Sequence, residues 1–192
     1  MKTLTVTDFS CIQKAHMELE QLTLIIGPQA SGKSVLCKLT YFLIDCAQLQ
    51  HTSIAKREHF DRFAADLKVR FIDWFPVAAW GNKRFKIEFS AGNYCIEIAR
   101  KNYGGKISDD FRLKFSKEFQ DQYEVLLSDV KKVSEKAGTS SIRHSIEFDW
   151  ELRETVAKSL KRLMGKDCVS NQAFVPAGRS FFTSIGKAIA AF

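Results

Sequence analysis

The chain has few of the features that tie a fold down covalently or anchor it in a membrane. Its five cysteines, Cys11, Cys37, Cys46, Cys95 and Cys168, form no C-x-x-C pair. An odd, irregular set excludes a disulfide framework and the usual zinc ligand spacings, and predicts reduced thiols. Cys37 and Cys46 fall on the apolar stripe expected of one helix and read as small buried hydrophobes. The four histidines, His16, His51, His59 and His144, show no metal-ligand spacing and read as surface residues. The N-terminus lacks the apolar core and small-residue cleavage site of a leader, and no run reaches the ~18 apolar residues of a membrane span. The expectation is a soluble, cytoplasmic protein with no membrane partner. There are only three prolines in 192 residues, and no repeat or low-complexity tract. With 45% hydrophobic residues, this excludes a disordered chain and is enough to fill a core.

The net charge is +7, unevenly placed. Residues 51–100 carry nine basic against six acidic side chains and 151–192 seven against three, while the other two quarters balance. Such a surplus suits nucleic acid or another polyanion, and suits plain solvation equally well.

One segment has a specific chemical meaning. Gly27-Pro28-Gln29-Ala30-Ser31-Gly32-Lys33-Ser34 fits G-x-x-x-x-G-K-[ST]. It follows an apolar run, Leu22–Ile26, that reads as a buried strand. It precedes Val35, Leu36, Leu39, Phe42, Leu43, Cys46 and Ala47 at helical spacing. The glycines let successive N–H groups point into one concavity, which together with a helix N-terminus suits a phosphate chain. The pattern predicts binding of ATP with Mg²⁺. Gly27, Pro28, Gln29, Ala30, Ser31, Gly32, Lys33, Ser34 and Val35 form the candidate nucleotide site. Lys33 is the catalytic candidate, reaching the β and γ phosphates, and the Ser34 hydroxyl is the candidate Mg²⁺ ligand. Pro28 presets φ in the turn.

Along the chain, Leu4, Val6 and Phe9 predict a first strand and His16–Glu20 a second, so two strands precede the phosphate loop. Ser53–Lys68 predicts a helix with Phe60, Phe63, Ala64 and Leu67 on one side. Phe85, Ile87 and Phe89, a turn at Ala91-Gly92-Asn93, and Tyr94, Ile96 and Ile98 predict a β-hairpin. Phe111, Leu113 and Phe115 predict one more strand. Ser116–Glu135 and the stripe Leu152, Val156, Leu160 and Leu163 predict two helices, the latter ending at Gly165. Lys158, Lys161, Arg162 and Lys166 load that helix end with positive charge, which complements its dipole or contacts DNA. Val169–Val175 predicts a strand. Phe181, Phe182, Ile185, Ala188, Ile189 and Phe192 predict an apolar face on a terminal helix that packs in the core or on a partner.

Leu4–Phe9, followed by Leu22–Ser34, resembles the start of an ABC, SMC or RecF-like ATPase head. That group includes the bacterial "AAA family" ATPases of overcoming-lysogenisation, Septu and retron defence systems. Phe174-Val175-Pro176-Ala177-Gly178-Arg179-Ser180 resembles a stretch of the defence-type members. The resemblance implies an α/β P-loop NTPase with an ABC-like antiparallel β layer and a helical insertion. It implies a single N-terminal ATPase lobe over 1–192. Within it, 1–50 would hold strands, phosphate loop and first helix, 51–115 a helix and β-hairpin layer, 116–168 a helical segment, and 169–192 a strand and terminal helix.

Several elements of such heads are missing from the sequence. Tyr41–Asp45 has the letters of a Walker B strand but falls within a helix, and Val69–Asp73 is interrupted by Arg70. Asn102–Lys106 matches only the glycines of an ABC signature, and Asn82–Phe85 lacks the Asp of a guanine-reading motif. The expectation is therefore an incomplete head, ATP-driven in dimerisation or switching. It would hydrolyse ATP only with a further ATPase region or in a homodimer, with DNA or an effector protein as partner and with Arg179 near partner or nucleotide. A small phosphotransferase and a non-hydrolysing, nucleotide-responsive interaction module are the alternatives.

Overall fold

In the computed structural model, residues 1–136, 142–169 and 171–175 are described. The chain is α/β. Five strands form one open, wholly antiparallel sheet in the order β2-β1-β3-β4-β5, with β1 at Lys2–Phe9, β2 at Ile12–Leu19, β3 at Lys86–Ala91, β4 at Tyr94–Tyr103 and β5 at Lys106–Phe115. Among the described residues five α-helices accompany it: α1 (Lys33–Gln48), α2 (Gln50–Ala55), α3 (Phe60–Trp74), α4 (Lys117–Lys136) and α5 (Ile142–Met164).

Strand alternation decides which sheet face is covered. Leu4 and Val6 of β1, Ile87 and Phe89 of β3, Ile96 and Ile98 of β4, and Phe111 and Phe115 of β5 are buried under the helices. The intervening residues form a polar outer face, where Lys86 bridges Glu88 and Glu97, and Arg112 bridges Glu97. The two hydrogen-bonded partners hold the Glu97 carboxyl below its ordinary range, against a desolvation that would raise it.

Aromatic rings dominate the core. Phe71 of α3 lies with its ring centroid 4.9 Å from Phe111, 5.1 Å from Phe75 and 5.6 Å from Phe42. Phe9 meets Phe85 edge-on at 4.9 Å. Polar tips find partners: the Trp80 indole donates to the Phe75 carbonyl at 2.6 Å, and the buried Tyr94 hydroxyl donates to the Leu43 carbonyl of α1 at 3.1 Å. Buried Arg100 lies over Trp80 and donates to the Gly81 and Ser108 carbonyls and to Asp109, each at 2.7 Å.

Four expectations need correction. Leu22–Ile26 is not a strand. Leu22, Leu24 and Ile26 are 88, 77 and 83% exposed, because β1 is already paired on both sides, by β2 and by β3, and no described strand lies beside the run. The helix expected over Ser53–Lys68 is two helices. Arg57, at φ +59°, ends α2 with Arg57 N–H on the Ile54 carbonyl and Glu58 N–H on the Ser53 carbonyl, the Schellman arrangement. α3 then restarts at Phe60. Cys37 is exposed, one position off the buried stripe that holds Cys46. Residues 169 and 171–175 form no strand; the terminal helix and Arg179 lie outside the described residues.

The β3–β4 turn docks on the end of α5, with Asn93 N–H donating to the Leu163 carbonyl at 2.9 Å. A Cβ at Gly92, whose φ is +57°, would stand 2.7 Å from that carbonyl oxygen, whereas one at Gly104, also at φ +57°, would meet nothing. Gly92→Ala should therefore destabilise the protein by about 2–3 kcal/mol in urea unfolding, and Gly104→Ala by only about 1 kcal/mol. Equal losses would mean that the contact with α5 carries no weight.

Candidate phosphate-binding site

The nine candidate residues, Gly27 to Val35, are contiguous, and the fold gives them one shape. Ala30 at φ +63° and Gly32 at φ +88° turn the chain so that it enters α1 at Lys33. Leu36 N–H takes the Gly32 carbonyl at 3.0 Å, closing the first turn. No side chain caps the helix, and its first turn contains no carboxylate. The partial positive charge and unpaired N–H groups of that end are thus left for an outside anion.

Lys33 folds back over the loop. Its ammonium donates to the Gly27 carbonyl at 2.7 Å, to the Pro28 carbonyl, and to Ser31 Oγ at 3.3 Å. Ser31 Oγ also donates to the Pro28 carbonyl at 2.8 Å. The loop is thus closed on the Lys33 ammonium through the Gly27 and Pro28 carbonyls and the Ser31 hydroxyl. Ser34 is exposed at the helix start. Among the described residues no group of three or more His, Cys, Asp or Glu could hold a metal by itself, so a cation there would rest on Ser34, water and phosphate.

The loop is held from below by contacts absent from the sequence reading. The turn between β1 and β2 presses against it: a Cβ on buried Gly32 would lie 2.7 Å from Ile12 Cγ1 and 3.2 Å from Cys11 Sγ. Gly32 is therefore needed twice, for its left-handed φ and for this close approach. A signal was present in Ile12, an apolar residue placed straight after a Ser10-Cys11 turn, but the contact joins residues 20 apart. Two concavities of about 480 and 510 Å³ open elsewhere, on the bare sheet face and between α1 and α5, and neither is lined by residues 27–34.

No family model, curated protein or solved structure matches the chain. The site is therefore argued from its own geometry.

Other candidates fall into structural roles. Asp45 accepts from Arg70 at 2.7 Å on the flank of α1, and Tyr41–Asp45 lies wholly within that helix, with Phe42 and Leu43 buried, so it is not a Walker B strand. Val69–Asp73 lies within α3, and Asn102–Lys106 spans the β4–β5 turn. Lys158 pairs with Glu154 at 2.8 Å on α5. Among the described residues no helix is long and apolar enough to cross a membrane.

Because Gly32 and Ile12 touch, their substitutions should couple. Gly32→Ala alone should destabilise by about 2 kcal/mol, and when it is combined with Ile12→Ala, which removes the clashing atom, the loss in the double mutant should fall short of the sum of the two single losses by about 1 kcal/mol. Strict additivity in the double-mutant cycle would show that the turn does not support the loop.

Proposed function

We propose that the chain is an ATP-binding P-loop domain of an ABC- or SMC-like ATPase, with Mg²⁺ as the accompanying cation. The observation that carries this reading is the closed loop 27–33 seated on the uncapped, carboxylate-free N-terminus of α1, with Lys33 turned into it. Lys33 is the group that moves onto the β and γ phosphates. The backbone N–H groups from Gln29 to Lys33 hold the phosphate oxygens, and Ser34 ligates Mg²⁺. Bound at this place, Mg²⁺ neutralises charge on the phosphates.

The exposed run Leu22–Ile26 supports an incomplete head. It alternates apolar side chains that no described element covers, and a strand paired beside it from a further ATPase region or a second copy would bury them. On this reading the hydrolytic carboxylates come from that further region or copy, and the function of this lobe is nucleotide-driven dimerisation or switching, in a DNA-related or anti-phage defence setting. DNA or an effector protein is the partner, and the cytoplasm the compartment.

Thermal unfolding tests the assignment directly. Saturating Mg²⁺–ATP should raise the stability of the wild-type chain, by about 2.7 kcal/mol at one hundred times Kd, and leave Lys33→Ala where it was. Phosphate release by the chain alone should stay at background. Steady turnover would instead favour the phosphotransferase, and equal stabilisation of both proteins would reject the P-loop as the binding site.

A further inference from the structure

Helices α4 and α5 lie side by side, and the groove between them, about 410 Å³, carries opposite charge on its two walls. Asp121, Val125 and Asp129 recur every four residues and line the α4 wall, while Lys158 and Arg162, also four apart, line the α5 wall. All five are exposed, Val125 by 60%. Among the described residues Asp121 and Arg162 have no ion-pair partner. Asp129 and Lys158 pair with neighbours on their own helices, Lys132 at 3.5 Å and Glu154 at 2.8 Å. Exposed pairs of that kind hold their charges weakly, so both walls keep charge to offer.

A face with one acidic and one basic wall is complementary to itself. A two-fold axis running along the groove lays α4 of one copy over α5 of the other and keeps every residue at its own height along the helices. Because the acids and bases line one concavity, Asp121 and Asp129 then stand opposite Lys158 and Arg162 of the second copy, and the same contacts repeat on the other side of the axis. An axis across the groove would instead lay acid on acid and base on base, so the charges select one geometry. The size is adequate. α4 has 20 residues and is about 30 Å long. Two helices, each about 10 Å wide, make a face of roughly 600 Å² per copy, or roughly 1,200 Å² for the pair, the lower end of specific interfaces.

We propose that the α4–α5 face is an interface with a second copy of this chain, held by two symmetry-related sets of acid–base contacts around Val125, and that it forms without nucleotide. None of its residues belongs to the phosphate loop or to α1, so it stands or falls separately from the P-loop reading. Val125 supplies the apolar centre that the exposed charges surround, and it is covered only when the second copy is in place. Contacts between exposed charges are screened by salt, because the Debye length shrinks from about 10 Å at 0.1 M to about 3 Å at 1 M. The association is therefore of modest affinity and salt-sensitive.

Sedimentation equilibrium of the full chain without nucleotide tests this. The wild type should show a monomer–dimer equilibrium with Kd of about 1–100 μM at about 50 mM salt, weakened about tenfold or more at about 500 mM. A monomer at every concentration up to about 200 μM overturns the proposal. The double variant Asp121→Lys, Asp129→Lys should stay monomeric, and so should Lys158→Glu, Arg162→Glu, because each then meets only like charge in its own copy. Mixed in equal amounts, the two should restore a one-to-one dimer, since each offers the wall that the other lacks. A defect in folding within one chain is not repaired by adding another, so the mixture separates an interface from a loss of helix stability. Two monomers in the mixture, or either variant dimerising as the wild type does, overturns the proposal. Lys33→Ala should dimerise like the wild type. A dimer that forms only with Mg²⁺–ATP and is lost in Lys33→Ala overturns this interface while leaving the P-loop reading standing.

Discussion

The packing of α1 on the aromatic core is the constraint on which the rest depends. Phe42 lies between Phe71, Phe75 and Trp74, and Phe9 ties the same cluster to β1 through Phe75 and Phe85. Leu39, Leu43, Cys46 and Ala47 complete the buried stripe, and the Tyr94 hydroxyl clamps the helix backbone to β4. Each ring buries a large apolar area, and edge-on pairs add a further ~0.5–1.5 kcal/mol. On the proposed reading, a loop that presents backbone N–H groups to an anion needs a rigid base. Here the base comes from helix packing and from Ile12 under Gly32, not from a strand in front of the loop.

Much of this was legible in sequence, for a physical reason. Strands β3, β4 and β5 and helices α1, α4 and α5 carry their period in adjacent residues, so local alternation sufficed. The turn into α1 was legible because its residue types are fixed by backbone geometry: a glycine at φ +88° leaves little choice. The failures share the opposite property. Leu22, Leu24 and Ile26 have the pattern of a buried strand, but burial needs a neighbour, and pattern does not say whether one is present. The break between α2 and α3 carries no Gly or Pro; a left-handed Arg57 makes it, held where the Tyr123 hydroxyl donates to the Glu58 carbonyl at 2.9 Å. That contact crosses 65 residues and leaves no local trace.

Charge, by contrast, explains less than its total suggests. Many of the basic side chains on the surface are already spent on nearby carboxylates: Arg62 with Asp66, Arg153 with Asp149, Lys83 with Asp8, Lys101 with Asp110. Exposed pairs of this kind contribute little to stability, about 0–1 kcal/mol each, and they also weaken any local field toward a polyanion. The lysines at the end of α5 sit where the helix dipole favours them, whatever they meet.

What distinguishes α1 is that three otherwise separate features converge on it. Its N-terminus carries the closed loop, the uncovered run Leu22–Ile26 leads straight into that loop, and its outer stripe is crossed by residues 169–175. Full burial of a Leu or Ile side chain contributes about 1.5–3 kcal/mol, so covering Leu22, Leu24 and Ile26 would release several kcal/mol. That is comparable to the free energy with which a ligand shifts a two-state equilibrium. An anion seated on the loop and a strand seated on the run would then act on the same few residues, from opposite ends of the turn at Gly27. Each would order the backbone the other requires, and by linkage each would tighten the other's binding by the same factor. On the proposed reading, filling the loop and covering the run would favour one another, with α1 as the body both act upon.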